Sequence, residues 1–298
     1  MSQDFPPIVG IGLRHLHYAP VFEQQPALDF VEVHAENFFA QGGSSAQVLD
    51  QVAQLYPVSL HGVGLSLGSA SGIDDWHLQQ LKRLVDRINP ILVSDHACFG
   101  RAVLGRVDNP HTHNPTHAHA NDLLPLRRTR GALELLCANV AHVQDTLKQR
   151  IAVENISAYV HWNEAAYSEA EFLNALCKRT GCGLLMDLNN VYVNALNDPA
   201  PKANALAACT TWIDAIRADS VMEIHLAGFT PSHTVIIDDH AAPVHSAVWQ
   251  LYRHAVAVLG NVPTLIEWDV DLPELAVLLG EAATARQHCA NVLNFNRP

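Results

Sequence analysis

GLLMDLNN, residues 183–190, sets the pattern of the whole chain: a strand-length apolar run that ends in Asp187, a side chain able to hold a metal. The same form recurs. VSLHG (58–62) carries His61, ILVSDH (91–96) ends in His96, IAVEN (151–155) carries Glu154, MEIHLAG (222–228) carries His225 and TLIEWD (264–269) carries Glu267. One histidine after a Val/Ile/Leu run is ordinary. Six candidate ligands at the same end of successive strands converge in space if those strands close into a barrel, whose strand ends face one another across its mouth. With Asp238, Asp239 and His240 in the DDH run, a polynuclear metal site is the leading expectation.

Outward from these runs the chain alternates strands and helices. Strands are expected at PIVGIGLR (7–14), LDFVEVHAEN (28–37), PVSLHGVG (57–64), and then at the runs ending near 96, 155, 190, 228 and 269. Helices are expected near 44–56, 74–88, 130–149, 168–180, 200–217, 243–258 and 272–290. Mostly continuous apolar runs suit parallel strands covered by helices. An eight-stranded (β/α)8 TIM barrel, one domain over residues 1–298, is the expected closure, and a doubly wound open sheet is the alternative. Two long connections interrupt the pattern. Residues 99–125 contain HTHNPTHAHAND and read as a loop over the barrel mouth; residues 227–243 carry the DDH and the short TVIIDDH run.

Composition bounds the function. With 298 residues, 49% of them hydrophobic, the chain can fill one large α/β barrel. No run approaches the ~20 apolar residues that span a bilayer, and the amino end lacks a signal-peptide pattern, so a cytoplasmic protein is expected. The net charge of −12 counts against nucleic acid, whose backbone affinity comes from Lys and Arg displacing counterions. The six cysteines (Cys98, Cys137, Cys177, Cys182, Cys209, Cys289) have neither C-x-x-C spacing nor the density of a disulfide scaffold and read as reduced core thiols. Eighteen histidines, as many as Lys and Arg together, invite a metal reading that position has to decide.

The candidate ligands are imidazoles and carboxylates without thiolates, a set suited to Fe, Mn or Zn in an open site rather than to closed structural zinc. Carboxylates can also bridge. Glu154, Asp187 and Glu267 would supply the negative charge that holds more than one divalent cation close together.

In ligand order the chain resembles the trinuclear barrels of the xylose isomerase-like superfamily, which include endonuclease IV. The surrounding motifs are more specific: GIGLR (10–14), EVHAENFF (32–39), LHGVGLSLG (60–68), SDH (94–96), NDLLPL (121–126), ENIS (154–157), MDLNNVYVN (186–194), HLAG (225–228), DDHAAPV (238–244) and LIEWD (265–269). Together they resemble the DUF692 family of multinuclear non-haem iron-dependent oxidative enzymes, related to a methanobactin-biosynthesis oxidase, over residues 8 to about 285. The resemblance implies Fe(II)/Fe(III), two or three ions, with O2 as co-substrate. It implies one metal on His61, His96 and Glu154, a second on Glu154, Asp187, His225 and Glu267, and a third on Asn190, Asp238 and His240. Glu154, Asp238 and His240 would carry the catalytic roles. The implied substrate is a cysteine of a ribosomally made precursor peptide, delivered by a separate peptide-recognition protein, with hydrogen removed from the carbon next to sulfur. Endonuclease IV-like barrels have histidine at the position of Asn190; an amide oxygen is a poorer ligand than imidazole, so the third metal would be held more weakly.

Other polar residues have structural alternatives. The histidines of the 99–125 connection (His111, His113, His117, His119) read as a solvated loop or a substrate lid ahead of a metal site. Arg14 could meet a peptide carboxylate or pair with Glu32 or Glu36; His34, Glu36 and Asn37 could orient ligands. Cys98 lacks a partner base and reads as a core or loop thiol, and Trp162, Trp249 and Trp268 as packing. Two further functions stay open: a zinc- or manganese-dependent hydrolase of the endonuclease IV kind, and a noncatalytic metal- or peptide-binding barrel.

Overall fold

The computed structural model describes residues 6–104, 116–162, 165–198, 204–231 and 235–295. Its strands are β1 (Val9–Gly12), β2 (Val31–His34), β3 (Val58–His61), β4 (Leu92–His96), β5 (Cys98–Leu104), β6 (Thr116–Pro125), β7 (Ala152–Glu154), β8 (Gly183–Asp187), β9 (Val221–Leu226) and β10 (Thr264–Ile266). Eight of them close in the order β1-β10-β9-β8-β7-β4-β3-β2, every pairing parallel. This is the expected TIM barrel, and it excludes the open sheet.

The helices are α1 (Tyr18–Gln24), α2 (Ser44–Leu55), α3 (Asp75–Ile88), α4 (Arg130–Leu147), α5 (Glu169–Thr180), α6 (Leu188–Asn197), α7 (Ala205–Ala215), α8 (Ser246–Leu259) and α9 (Leu275–Phe295). The main core joins helix residues such as Leu49, Leu81, Leu136, Leu176, Val248 and Leu278 to strand residues Val33, Leu60, Val93, Val153, Leu184, Ile224 and Ile266. Burial of both layers explains why the strands read as short apolar runs instead of strict alternation. Local signals set several helix ends. Ser168 and Glu171 form a capping box at the start of α5, and Gly181, at φ 73°, closes its other end in the left-handed conformation that glycine adopts without strain.

Several elements differ from the sequence expectation, among them the unforeseen short helix α1. The chain after Asp187 turns directly into α6, so the apolar spacing of LNNVYVNALN belongs to a helix and not to the end of the strand. The connection at 99–125, expected to be loop, builds the antiparallel hairpin β5–β6, whose polar residues hide its alternation. Between Phe99↔Leu124 and Arg101↔His119 its register shifts, so Ala120–Leu123 bulge opposite Gly100. His111 and His113 lie outside the described residues. The described part of the TVIIDDH run, residues 235–240, forms no strand; Ile237 makes an isolated bridge to Thr230. All six cysteines are buried free thiols, and among the described residues no helix is long and apolar enough to cross a membrane.

The 227–243 connection is pinned where it leaves β9. A Cβ at Gly228 would run into the backbone carbonyls of Ala242 and Pro243, which cannot yield without moving the loop that carries Asp238 and His240. Gly228→Ala should therefore cost about 1–3 kcal/mol, the usual penalty for an overpacked site, and displace that loop. Urea unfolding of the variant beside wild type checks it; an unchanged midpoint would show that the loop is not held by this contact.

Candidate metal centre

Parallel pairing in register brings the strand ends together. His61 pairs with Ser94, His96 with Glu154, and Asp187 with His225 across adjacent strands. All nine sequence-derived candidates converge on one end of the barrel. A cavity of about 270 Å³ is lined there by His61, His96, Glu154, Asn190, Asp238, His240 and Glu267. Asp187 joins it through His240, and His225 through Glu267.

The carboxylate of Glu154 is the meeting point. Its Oε2 lies 3.4 Å from His61 Nε2 and 3.3 Å from His96 Nε2. His61 Nδ1 is anchored 2.8 Å from Ser94 Oγ, which leaves Nε2 facing Glu154. Glu154 also shares a ligand-sized cluster with Asp187 and His225, whose donor atoms lie within 4.8 Å of one another. A third cluster of the same size joins Asp187, His240 and Glu267.

Asp187 divides its carboxylate between two tasks. As the N-cap of α6, its Oδ1 accepts from the Asn190 amide at 2.6 Å; the free Oδ2 lies 3.7 Å from His240 Nε2. Capping and metal binding are alternatives for such a residue in sequence; here they use different oxygens. Asn190 is fixed by donating from Nδ2 to the Asn155 carbonyl at 3.1 Å and to Glu154 Oε1 at 3.4 Å, which leaves Oδ1 without a partner. Asp238 Oδ1 lies 2.9 Å from His240 Nε2 and accepts from Asn189 Nδ2 at 2.6 Å.

Several buried polar atoms here make no well-formed hydrogen bond: Glu154 Oε2, Asp187 Oδ2, Asn190 Oδ1, His96 Nδ1, His225 Nε2 and His240 Nε2, the last despite its 2.9 Å approach to Asp238 Oδ1. Buried polar groups are normally satisfied. Most of these orphans face one another across the cavity, and all are oxygen or imidazole nitrogen. The donor set therefore fits divalent iron, manganese or zinc.

The electrostatics are those of a site built for cations. Burial pushes Glu154 up to about 8 and Asp187 up to about 7, with neighbouring histidines opposing the shift. Burial works against protonated His96, but the charges of Glu154 and Asp95 outweigh it and raise the imidazole to about 9. His61 goes the other way, well below its ordinary value, through burial and the neighbouring His96 charge. Glu267 is held well below the carboxylate range, against burial, by His225 and His240.

Asp269, two residues past Glu267, is a member of the site that the sequence does not mark. Its carboxylate accepts from Arg14 Nη2 at 2.6 Å and lies 3.2 Å from His240 Nδ1. Arg14 thus pairs with Asp269, and with Glu267 at 3.4 Å, in place of the expected Glu32 or Glu36. His34 joins this edge through Arg14 Nη2 at 2.9 Å. Glu36 turns away to His77 Nε2 at 3.1 Å, and Asn37 is exposed. Asp239 accepts backbone N–H groups of its own loop. Burial raises the Cys98 thiol well above its ordinary range, opposite to what a nucleophile needs. Trp162 donates to the Pro125 carbonyl, Trp249 packs on Tyr252 and His288, and Trp268 is buried.

A family model described as "RiPP precursor modification enzyme MbnB/TglH/ChrH" matches residues 8–290. A UPF0276 protein of Vibrio vulnificus strain YJ016 is 44% identical, over 100% of this chain and 97% of the relative. Another, from Chromobacterium violaceum, is 43% identical over 94% of each. Among solved structures, endonuclease IV from Thermus thermophilus superposes with a TM-score of 0.55 at 15% identity, covering 97% of this chain and 100% of that one. D-Psicose 3-epimerase from Clostridium cellulolyticum gives 0.54 at 11% identity, covering 96% and 99%. At such identities the likeness is one of fold.

Metal must displace the protons held by Asp187 (about 7), Glu154 (about 8) and His96 (about 9). The sign follows: as pH rises through these values the competing protons leave, so metal affinity of the metal-free chain rises from about pH 6 to about pH 9. Mn(II) calorimetry in buffers of different ionisation enthalpy should show proton release that is large near pH 6 and falls as pH rises. Buffer-independent heats near pH 6 would contradict the assignment.

Proposed function

The chain belongs to the MbnB/TglH/ChrH family of RiPP precursor modification enzymes, and from that membership we propose that it is a multinuclear iron-dependent oxidase acting on a cysteine of a ribosomally made precursor peptide. The observation that carries the proposal is the set of unpaired, buried oxygen and nitrogen donors gathered around Glu154. His61, His96 and Glu154 would hold one ion; Glu154, Asp187, His225 and Glu267 a second; Asn190, Asp238 and His240 a third. Bound iron would supply the one-electron chemistry with dioxygen that amino-acid side chains lack.

The protein's own residues do the rest. Glu154, shared between two clusters, would offer carboxylate oxygen to both neighbouring positions. Ser94 and the α6 N-terminus fix His61 and Asp187, so the donors are held in place before any ion arrives. Asn190 contributes a neutral oxygen and makes the third position the weakest. Asp238 and His240, 2.9 Å apart at the mouth, can hold and pass a proton next to bound substrate.

A peptide has room to approach. A second cavity of about 430 Å³, between the β5–β6 hairpin and the segment after β3, shares Val63 and Leu123 with the metal cavity. It gives residues flanking the reacting cysteine a path across the bulge at Ala120–Leu123. Exposed apolar side chains lie at this mouth: Val63 and Val270 line the metal cavity, and Tyr159 and Ile237 adjoin Asp238. Such a rim suits the docking of a separate peptide-recognition protein.

Anaerobic purification followed by elemental analysis and Mössbauer spectroscopy tests the reading. Two or three magnetically coupled irons per chain are expected, largely lost in an Asp187→Ala, His225→Ala double variant, with O2 consumed only in the presence of a cysteine-containing peptide. Stoichiometric zinc without iron would redirect the reading to a hydrolase, and a protein that binds no metal would end it.

A further inference from the structure

Behind His225 the barrel interior holds two carboxyl groups that the proposed chemistry does not use. Glu32 on β2 and Glu223 on β9 are 0% and 1% exposed, and each has an oxygen within the same 4.8 Å cluster as a nitrogen of His225. Glu32 Oε1 and both oxygens of Glu223 lack hydrogen-bond partners. Burying a carboxyl group costs free energy unless a partner offsets it or it takes up a proton.

The two nitrogens of His225 have different neighbours. Nδ1 lies 2.9 Å from Glu267 Oε2, the same oxygen that His240 Nδ1 approaches at 3.3 Å, so Nδ1 faces the metal-binding side chains. Nε2 lies 3.4 Å from Glu32 Oε1, an ion-pair distance, and neither atom has a hydrogen-bond partner. Of the two carboxyls only Glu32 is itself anchored: its Oε2 accepts from Ser59 Oγ at 2.8 Å, across the paired residues of β2 and β3.

A neutral imidazole carries one proton, and the partner of one nitrogen decides which nitrogen is free. If the proton sat on Nδ1, it would be donated to Glu267, and two ligand atoms would satisfy each other. We propose that Glu32 is a positioning residue that accepts the Nε2–H of His225 and so holds Nδ1 unprotonated and aimed at the metal shared with Glu154, Asp187 and Glu267. Ser59 fixes the carboxylate for this task. The inference rests on the metal reading above and concerns one of its positions only.

The test uses the full, metal-free chain in four forms: wild type, Glu32→Met, Glu32→Gln and His225→Gln. Mn(II) titration followed by electron paramagnetic resonance reads metal affinity. Nitrogen-15 NMR of the imidazoles reads the tautomer, at a pH high enough that His225, whose titration is raised against burial by Glu32 and Glu267, carries a single proton, with His225→Gln identifying the signal. In Glu32→Met one class of site should weaken about 10–100-fold, the usual cost of losing such an outer partner, while the others keep their affinity and His225 shifts from the Nε2–H to the Nδ1–H form. Glu32→Gln, whose amide oxygen can still accept, should retain most of the affinity and the Nε2–H form. An unshifted tautomer in folded Glu32→Met, or a wild type already in the Nδ1–H form, would overturn the proposal, as would equal weakening at every site. If wild type binds no Mn(II), the metal reading fails, while the tautomer comparison in the metal-free chain still judges Glu32.

Discussion

The Glu154 carboxylate, buried between the imidazoles of His61 and His96 on one side and the Asp187–His225 pair on the other, is the contact on which the rest of the site depends. Several carboxylates gathered in an interior repel one another and lose their hydration. Here that cost appears as Glu154 and Asp187 pushed up to about 8 and about 7. Cations placed among the donors would reverse the penalty, because each would neutralise the charges that burial makes expensive.

The barrel makes that concentration of charge tolerable by fixing each donor from behind. Ser94 holds His61, the first turn of α6 holds one oxygen of Asp187, Asn155 and Glu154 hold the amide of Asn190, and Arg14 balances Asp269 and Glu267. In each case one atom of the side chain is tied to the scaffold and another is left free. The arrangement separates support from ligation within single residues, and Glu32 extends it one layer further beneath His225.

Membership in a family that modifies ribosomally made peptides gives these features a common purpose. Beside the β5–β6 hairpin a second cavity shares Val63 and Leu123 with the metal cavity. The same barrel serves sugar epimerases and endonuclease IV, so the fold alone does not choose the reaction. Reaction choice rests with the donor set and what surrounds it.

Much of this was readable in sequence. Short Val/Ile/Leu runs ending in His, Asp or Glu specified parallel strands and the end at which the site lies, because a strand buried on both faces must be apolar until it reaches the mouth. His61, His96, Glu154, Asp187, His225 and Glu267 were legible for that reason, and Asp238 and His240 through their DDH run. Sequence could not show that α6 starts at Asp187, since the cap and the ligand are the same residue, nor that the polar 99–125 connection forms a hairpin. It also left Asp269, Glu32 and Glu223 unmarked. Their roles come from strand register and barrel closure, which set carboxylates from distant parts of the chain within a few ångströms of Arg14, His240 and His225. Residue type and periodicity are local properties that a sequence carries by itself; which nitrogen of an imidazole faces which carboxylate exists only once the sheet has closed.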